Sequence, residues 1–507
     1  MNKEKLKSLL LVVLIATSVV LTQRVWFRSP LQMISSEASY LYEKEEQLLI
    51  TRQQVIRPEK IIIGFGGGAD NSHYTFLPPS ESDRFWQEMK MILTDHFLGA
   101  PTLQELSREE YENLRTNRHV EMHFAQGFPT AFLSVLFDQQ ENSIASVTNR
   151  IQSILVPARY QGNLYLVGDE DNIYEFRLTP QEQLHQVDVA QLVDSIPVNS
   201  YVKYYPLFSY AGNPTLLPLT YQTNKPRIFT ESEIDASSND HMNRWAGRFF
   251  NENFDFVKTI QETGGTRIYM YGYGQQEVRI NNRGQLEYTA STGRQSSSSV
   301  SRALDTALLF MADHYGPSDA LVLREVELLE ENQLRGYRFG FGYHLRDLPV
   351  VPAQLRQPLE IEVFGDSVRS LSALLRRPMS LPEVTPEAGI LSPHRIIEEH
   401  FNQLLDEMAQ HLNLETAATA DQEVPVSMEE NNTEETSGLE ETPVLTGEDL
   451  LKAISRVELI YLDREDTYRR ELMVPVWRIV IDELVHDFDA HEGTRIQTTL
   501  LVEGEVR

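Results

Sequence analysis

The most continuous apolar pattern in the chain lies at its N-terminus. An uncharged run extends from Ser8 to Gln23, lysines at positions 3, 5 and 7 precede it, and Trp26 and Phe27 follow it. A helix over residues 8–27 would nearly span a hydrocarbon layer of about 30 Å. Because lysines favour the cytoplasmic side of a span, the pattern predicts a cytoplasmic start and transmembrane anchor over residues 1–28, with the rest of the chain extracytoplasmic.

A cleavable signal peptide is the alternative, because Ala16 and Ser18 form a small-x-small site. The apolar run continues from Val19 to Leu21, which favours an uncleaved anchor. Within the anchor, Ser18 and Thr22 are four residues apart, a spacing at which small residues let two helices approach closely. We therefore predict partner-helix contacts at Ser18 and Thr22. The alternative is that each hydroxyl bonds to the preceding turn of its own helix.

Beyond the anchor, segments with helical periodicity alternate with segments of strand periodicity. The predicted fold class is α+β, with a single N-terminal transmembrane helix and about three extracytoplasmic α+β domains whose sheets are mainly antiparallel. The predicted division is a stalk over 29–54, a first domain over 55–230, a second over 231–385 and a C-terminal domain over 386–507. An acidic linker over 415–449 interrupts the last domain, since this segment holds eleven acidic residues and no Lys or Arg.

The glycine-rich stretch KIIIGFGGGAD, residues 60–70, raises the question of a nucleotide site. Gly64 and Gly66 fit the start of a dinucleotide fingerprint, but that motif needs a helix that begins directly at the glycines. The next helical signal comes only at Ser80, where Ser80 and Asp83 form a capping-box pattern. The stretch is therefore predicted to be a buried strand that ends in a loop, and no nucleotide or other cofactor is expected.

Later segments predict further elements. Tyr337, Phe339, Phe341 and Tyr343 share one face of a strand whose other face carries glycines. We interpret the aromatic row as a core face, and a ligand platform is the alternative. The remaining pattern predicts five further helices: one from Thr102, one near Val187, one near His241, one over 300–316 after a run of serines, and one from Ser392. It also predicts a hairpin that turns at residues 282–284, and a short helix before two paired strands over 450–482.

Composition narrows the functional classes. The chain has 507 residues, of which 41% are hydrophobic and 23% are charged, as is typical of a globular protein. Its formal net charge of −29 argues against binding to nucleic acid, which needs a surplus of basic residues. No cysteine occurs, so disulfides, thiol nucleophiles and thiolate metal sites are excluded.

Three motifs could carry chemistry. His119 and His123 flank a glutamate, but the alternation of apolar residues predicts a strand, on which they would lie about 13 Å apart, too far for one metal ion. Ser200 and Lys203 match S-x-x-K, but their surroundings predict strand and loop where that motif needs a helix. The acids and histidines over 486–491 are predicted to form a solvated turn. No catalytic or metal-binding residue is therefore predicted.

Three stretches of the sequence resemble the YycH (WalH) family. They are KIIIGFGGG at 60–68, QETGGTRIYMYGYGQQEVRINNRGQLEYTA at 261–290 and RGYRFGFGYHLRDLPV at 335–350, and they follow a lysine-flanked single anchor. The resemblance covers the anchor and most of residues 55–380. The acidic stretch 415–449 does not match the family pattern.

The resemblance implies a membrane-anchored, non-catalytic regulator of the essential YycG/WalK sensor kinase of Gram-positive bacteria, which controls cell-wall homeostasis. The implied partners are that kinase, a YycI-like single-span protein and the membrane. The regulatory contact of the family would lie largely in the transmembrane helix, which is Ser8 to Phe27 in this chain. A ligand-sensing module and an enzyme that acts on wall material are the alternatives.

Overall fold

The chain divides into two compact units, Met1–Gln54 and Val55–Arg507. In the first unit, the described residues 48 and 51–54 are helical. The computed structural model describes residues 48, 51–68, 72–99, 101–137, 144, 147–197, 201–221, 224–291, 297–316, 321–331, 333–354, 356–384, 386, 389–420, 445–464 and 470–501.

Nine strands from the N-terminal part of the second unit form the first sheet. They are β1 (Lys60–Phe65), β2 (Tyr74–Phe76), β3 (Thr102–Leu106), β4 (Arg118–His123), β5 (Ser153–Pro157), β6 (Asn163–Val167), β7 (Ile173–Arg177), β8 (Tyr204–Tyr205) and β9 (Leu217–Pro218). Their order is β3–β7–β6–β5–β4–β1–β2–β8–β9, and β1 lies centrally with antiparallel neighbours on both sides. The burial of Ile61 to Gly64 follows from this central position.

Helices of 6 to 20 residues belong to the same part of the chain. They are α1 (Pro79–Leu98), α2 (Arg108–Arg115), α3 (Ala131–Leu136) and α4 (Val189–Asp194). The buried face of α1 includes Phe85, Met89 and Ile92. Tyr111 of α2 packs against Leu155 and other apolar residues of the sheet. Because burial of a large apolar side chain contributes about 1.5–3 kcal/mol, these faces fix the helices more strongly than their intrinsic propensities do.

The middle of the chain forms a second antiparallel sheet of eight strands. They are β11 (Lys258–Gln261), β12 (Arg267–Tyr271), β13 (Gln276–Ile280), β14 (Leu286–Ala290), β15 (Val322–Glu331), β16 (Leu334–Gly342), β19 (Leu359–Phe364) and β20 (Ser367–Ala373). Their order is β11–β12–β13–β14–β20–β19–β16–β15. Two helices accompany them, α5 (Asn239–Phe250) and α6 (Val300–Phe310), and α6 packs against β16, β19 and β20.

The third sheet combines C-terminal strands with strands from the middle of the chain. Its members are β10 (Ile228–Ser232), β17 (His344–Leu345), β18 (Leu348–Pro352), β21 (Arg376–Pro378), β22 (Ile454–Asp463), β23 (Arg470–Ile481), β24 (Leu484–Asp489) and β25 (Arg495–Leu500). Helices α7 (Pro393–Ala420) and α8 (Gly447–Ala453) precede its C-terminal strands. β10 and β22 both pair with β23, and β18 pairs with β22 in parallel. The segments on either side of the second sheet are therefore held by the third.

The fold class is α+β with mainly antiparallel sheets, and this part of the prediction is confirmed. The hairpin of β13 and β14, the helices α4, α5, α6 and α7, and the succession of α8, β22 and β23 also match their predicted positions. Ser299 caps α6 by accepting a hydrogen bond from the Arg302 amide, as expected from the serine run. The division into three domains stays a prediction.

Two local predictions were wrong. The helix predicted from Thr102 is the edge strand β3, which pairs with β7, and the helix begins only after Ser107, which forms a capping box with Glu110. The helix predicted at Ser80 exists, but it begins at Pro79, and no side-chain cap forms. Proline at the first position supplies a preset backbone angle and lacks the amide hydrogen that a cap would satisfy.

The acidic segment 415–449 is described only at its two ends. α7 extends to Ala420, and α8 begins at Gly447 after a capping box between Thr446 and Asp449. Both ends of the predicted linker therefore lie in or next to helices. Residues 421–444 lie outside the described residues, and their role as a linker stays a prediction.

Candidate functional site

The predicted anchor and its partner contacts, Ser18 and Thr22, lie outside the described residues. The helices within the described ranges include none that is long and apolar enough to cross a membrane. The transmembrane helix therefore stays a prediction.

The glycine-rich stretch is a strand followed by a loop, as predicted. β1 ends at Phe65, and Gly66, Gly67 and Gly68 have φ angles of 73°, 133° and 75°, which residues with a side chain rarely adopt. Ser72 and His73 lead directly into β2, so the described part of the loop does not open into a helix. Gly64 has a packing role, because a Cβ atom there would overlap the ring of His119 on the neighbouring strand.

His119 and His123 belong to a buried polar cluster centred on Glu121. The three residues alternate along β4, and Glu121 is 2% exposed. Tyr111 Oη donates to Glu121 Oε1 at 3.2 Å, and Arg115 Nε donates to Glu121 Oε2 at 3.2 Å. His123 Nε2 lies 3.2 Å from Oε1, and His119 Nε2 lies 3.9 Å from Oε2. We call these five residues the Glu121 cluster.

The cluster places an ionised carboxylate beside a neutral imidazole. Burial opposes the ionisation of Glu121, but Arg115 and then His123 hold its pKa well below the usual value. Burial lowers the pKa of His119 to about 4, so its ring is neutral at pH 7 and donates from Nδ1 to the carbonyl oxygen of Asn117. The strand prediction for His119 and His123 is confirmed. Within the described ranges, no group of three or more histidine, aspartate or glutamate side chains could hold a metal ion.

The motif over 486–491 is not a solvated turn, and that prediction was wrong. His486 and Asp487 are completely buried in β24. Asp487 accepts two hydrogen bonds of 2.9 Å from Arg478, which lies opposite it on β23. Asp489 accepts from Arg227 at 3.0 Å. The acids are buried because paired guanidinium groups compensate for their desolvation.

The S-x-x-K motif is only partly described. Ser200 lies outside the described residues, and Lys203 directly precedes β8 in an irregular segment, which agrees with the predicted strand and loop.

Three of the four residues of the aromatic row lie on a core face, as interpreted, whereas Tyr337 is only partly buried. Phe339 and Phe341 are 0% exposed and Tyr343 is 6% exposed. The glycine face of the strand is covered by long polar side chains. A Cβ atom at Gly342 would overlap the side chain of Arg324, and one at Gly340 would lie 2.6 Å from Cγ of Gln357. These two glycines therefore make room for charged and polar groups.

Those groups belong to a junction where all three sheets meet. Glu59, immediately before β1, forms an ion pair with Arg324 of β15. Lys60 of β1 donates from Nζ to Glu458 Oε2 of β22 at 2.9 Å. We call Glu59, Lys60, Arg324 and Glu458 the junction cluster. Burial opposes the ionisation of Glu59, and Arg324 beside it lowers its pKa below the usual value.

The loop after β4 adds backbone contacts to this junction. The Gln126 amide donates to the Arg324 carbonyl at 2.9 Å, and the Val326 amide donates to the Gln126 carbonyl at 2.9 Å. Gly127 has a φ of 68°, and a Cβ atom there would overlap the carbonyl oxygen of Val326. A larger residue would therefore push the loop away from β15.

Two cavities adjoin the junction cluster, and all four of its residues line both. The first has a volume of about 340 Å³ and an apolar wall that includes Phe76, Trp86 and Leu459. His344 also lines it, and burial together with the positive charge of Arg324 lowers the pKa of His344 to about 4.

The second cavity has a volume of about 470 Å³ and a mostly polar wall. We call it the polar cavity. Its basic lining side chains are Lys60, Arg150, Arg324, Arg356, Arg456 and Arg478. Its acidic lining side chains are Glu59, Asp169 and Glu458.

This site was not predicted from the sequence. Its ion pairs join positions 265 and 398 residues apart along the chain. Local periodicity carries no information on such pairings. Gly340 and Gly342 were the one visible signal, because glycines that alternate on a strand face indicate close approach by other groups.

Comparison with known proteins identifies the N-terminal part of the chain. Residues 4–189 match the family model described as YycH protein, N-terminal domain. The N-terminal part of the chain therefore belongs to the YycH family. The match includes most of the first sheet, the Glu121 cluster, and Glu59 and Lys60 of the junction cluster. It confirms the resemblance over residues 4–189 and supports a regulatory role towards a YycG/WalK-type kinase.

Other comparisons add little. No curated protein matches the chain. A solved structure, the Bacillus megaterium YpeB C-terminal domain, is similar at 13% identity with a TM-score of 0.23, over 52% of this chain and 98% of that one. This likeness is too low to carry an argument about fold or function.

Proposed function

We propose that the protein is a membrane-anchored, non-catalytic regulator of a sensor histidine kinase that controls cell-wall homeostasis. It acts with a YycI-like single-span partner, its N-terminus is cytoplasmic, and the bulk of the chain is extracytoplasmic. The observation that carries this proposal is the match of residues 4–189 to the YycH N-terminal domain.

The buried charged groups support a role without catalysis. Glu121, Asp487 and Asp463 are each buried against an arginine, and the Arg376–Asp463 pair is 2.5 Å long between side chains that are at most 3% exposed. Each of these carboxylates therefore has a structural partner that accounts for its burial. An enzyme would instead need titratable groups directed at a substrate.

The direct test is co-purification of the tagged full-length chain from membranes of a Gram-positive host. We expect the sensor kinase and a single-span protein to be recovered with it in mild detergent. A variant in which an unrelated transmembrane helix replaces residues 1–28 separates tethering from specific contact. Recovery of neither protein with the native chain contradicts the proposal.

The anchor contact is tested by a double substitution, Ser18→Leu with Thr22→Leu. Both leucines keep the span apolar but fill the groove in which a neighbouring helix would pack. Each interhelical hydrogen bond is worth about 0.6–2 kcal/mol, so we expect partner occupancy to fall about tenfold.

Thr17→Leu is the matched control, because it removes a hydroxyl on a different side of the same helix. Normal membrane insertion of both variants is required for the comparison. If the double variant retains its partners and exchange of the extracytoplasmic part abolishes the contact, the regulatory contact lies outside the membrane.

The proposed membrane topology is tested by protease protection. Protease added to intact protoplasts should digest the part of the chain that follows residue 28. Full protection of that part contradicts the proposed localisation.

A ligand-sensing module is the second candidate function. The observation that favours it is the pair of cavities at the junction of the three sheets. A ligand held there would contact elements of every sheet and thereby shift their arrangement.

A further inference from the structure

We propose that the polar cavity binds a small phosphate-bearing anion. This assignment rests on the wall of the cavity and is independent of the kinase contact proposed above. Its volume of about 470 Å³ lies within the range of about 300–1,000 Å³ that is typical of small-molecule sites.

The charge of the wall is opposite to that of the chain. The whole chain has 45 basic and 74 acidic residues. The lining of the polar cavity instead has twice as many basic as acidic side chains. The acidic partners of two lining arginines, Glu325 and Glu327 for Arg356 and Asp487 for Arg478, are outside the lining. Most of the acids that compensate the lining cations therefore lie outside the wall of the cavity.

Two of the arginines have donors available for a ligand. Arg150 is exposed and has no ion pair with any residue in the described part of the chain. Arg456 is 39% exposed and lies 3.7 Å from Glu458, whose other oxygen is already bound to Lys60 at 2.9 Å. An anion in the cavity would give both guanidinium groups closer acceptors.

The directions from which the cations come favour phosphate over carboxylate. Arg150 precedes β5, Arg324 lies in β15, and Arg456 lies in β22, so the lining cations belong to segments of all three sheets. A carboxylate presents its two oxygens in one plane, whereas phosphate presents oxygens in tetrahedral directions. Planar guanidinium groups bind phosphate oxygens in pairs, so donors on several walls can be satisfied together.

The backbone is adapted to this wall. Gly340 and Gly342 leave space that Gln357 and Arg324 occupy, and both of these side chains line the polar cavity. Side chains at the two glycine positions would displace them. Gln357 and Arg324 are therefore held in place by the packed sheet.

Calorimetric titration of the full-length chain in discs of neutral lipid tests the proposal. The probes are inorganic phosphate and glycerol 3-phosphate at constant ionic strength, with glycerol and succinate as controls. We expect both phosphates to bind at one site, glycerol not to bind, and succinate to bind at least about tenfold more weakly. Tighter binding of glycerol 3-phosphate than of phosphate would also support the site and show that the glycerol part of the ligand is recognised.

Variants locate the binding. Arg150→Gln and Arg456→Gln should each weaken phosphate binding about tenfold, since each removes one charge-assisted contact. Arg150→Lys, which keeps the charge but loses the planar fork, should have an intermediate effect. Arg302→Gln is the matched control, because Arg302 is an exposed arginine outside the cavity, and its binding should not change.

Three results would overturn the proposal. They are no detectable binding of either phosphate, equal binding of phosphate and succinate, and equal loss of binding in Arg302→Gln and the two cavity variants. Unfolding temperatures of all variants are measured in parallel, and Arg150→Lys serves if a glutamine variant fails to fold.

Discussion

The Glu121 cluster and the junction cluster both contain ion pairs between carboxylate and basic side chains. The paired residues are close along the chain in the first cluster and far apart along it in the second. Glu121 is surrounded by residues from one helix and one strand, and its partners lie within ten positions of it. The ion pairs of the junction cluster join positions 265 and 398 residues apart. Glu121 is 3% exposed at its side chain, whereas Lys60 is 33% exposed.

This difference predicts different roles for the two clusters. The Glu121 cluster forms together with the first sheet, so its loss should destabilise that sheet itself. The junction cluster joins the three sheets to one another, so its loss should weaken their docking. We therefore expect larger effects on global stability from the first cluster than from the second.

The largest effect is expected for Glu121→Gln. The substitution keeps the shape of the side chain but leaves Arg115, which is 12% exposed, without its buried counter-charge. Removal of one partner from a buried pair costs about 3–5 kcal/mol. Denaturant unfolding followed by fluorescence should show this loss.

Glu112→Gln is the matched control for that experiment. Glu112 also pairs with Arg115, at 3.2 Å, but its side chain is 34% exposed. Solvent screens such a pair, so we expect a cost below about 1 kcal/mol. Similar losses for the two variants would contradict the view that burial determines the effect.

The next largest effect is the contribution of His344, which lines the first cavity, to the pH dependence of the free energy of unfolding. Its pKa is lowered to about 4 in the folded protein from an ordinary value of 6.5. Between these values the unfolded chain binds a proton that the folded chain does not, so stability falls as pH decreases from 6.5 to about 4. This one group accounts for a loss of about 3 kcal/mol over that window.

His344→Gln removes that contribution. Unfolding measured at several pH values should show a shallower slope for the variant between pH 6.5 and 4, and an unchanged slope above pH 7. Equal slopes for the variant and the native chain would show that the folded protein accommodates the charged ring.

The sequence predicted local elements well and long-range pairings poorly. The β13–β14 hairpin and the capped helix α6 depend on neighbours along the chain, and both were found. The pairing of β10 with β23 joins Ile228 to Met473, which no local pattern records. The error at Thr102 has the same cause, because the edge position beside β7 decides that TLQEL is a strand.

The buried motif at 486–491 could have been recognised. Arg478 and Asp487 lie directly opposite each other in a hairpin that turns after Ile481. An arginine and an aspartate at equal distances from a tight turn indicate a cross-strand pair. The acidic residues alone indicate exposure to solvent, and the burial becomes predictable only when the opposite guanidinium group is paired with them.

Gly127→Ala tests the docking of the loop onto β15. The added Cβ atom would overlap the carbonyl oxygen of Val326, and the φ of 68° adds backbone strain. Gly212→Ala is the control, since Gly212 has a φ of 79° with no atom within 4 Å of an added Cβ. We expect Gly127→Ala to cost about 1–3 kcal/mol more than its control in thermal unfolding. Equal costs would mean that the loop yields without loss.

The smallest expected effect tests the comparison most directly. It compares two ion pairs of similar N–O distance, one between residues that are far apart along the chain and one between residues on the same helix. Lys60 and Glu458 are 2.9 Å apart and join two sheets, whereas Arg395 and Glu399 are 2.7 Å apart and lie one turn apart on α7. The first pair has side-chain exposures of 33% and 12%, and the second has exposures of 61% and 45%.

Double-mutant cycles on the two pairs give their coupling energies directly. With Lys60→Met and Glu458→Gln we expect a coupling of about 1–2 kcal/mol, because the residues are in contact and partly shielded from water. With Arg395→Met and Glu399→Gln we expect about 0.3–0.5 kcal/mol, the usual value for exposed pairs on one helix. Added salt should reduce the second coupling more than the first, since buried charges are screened less. Equal couplings with equal salt dependence would show that the pair of Lys60 and Glu458 is an ordinary surface contact.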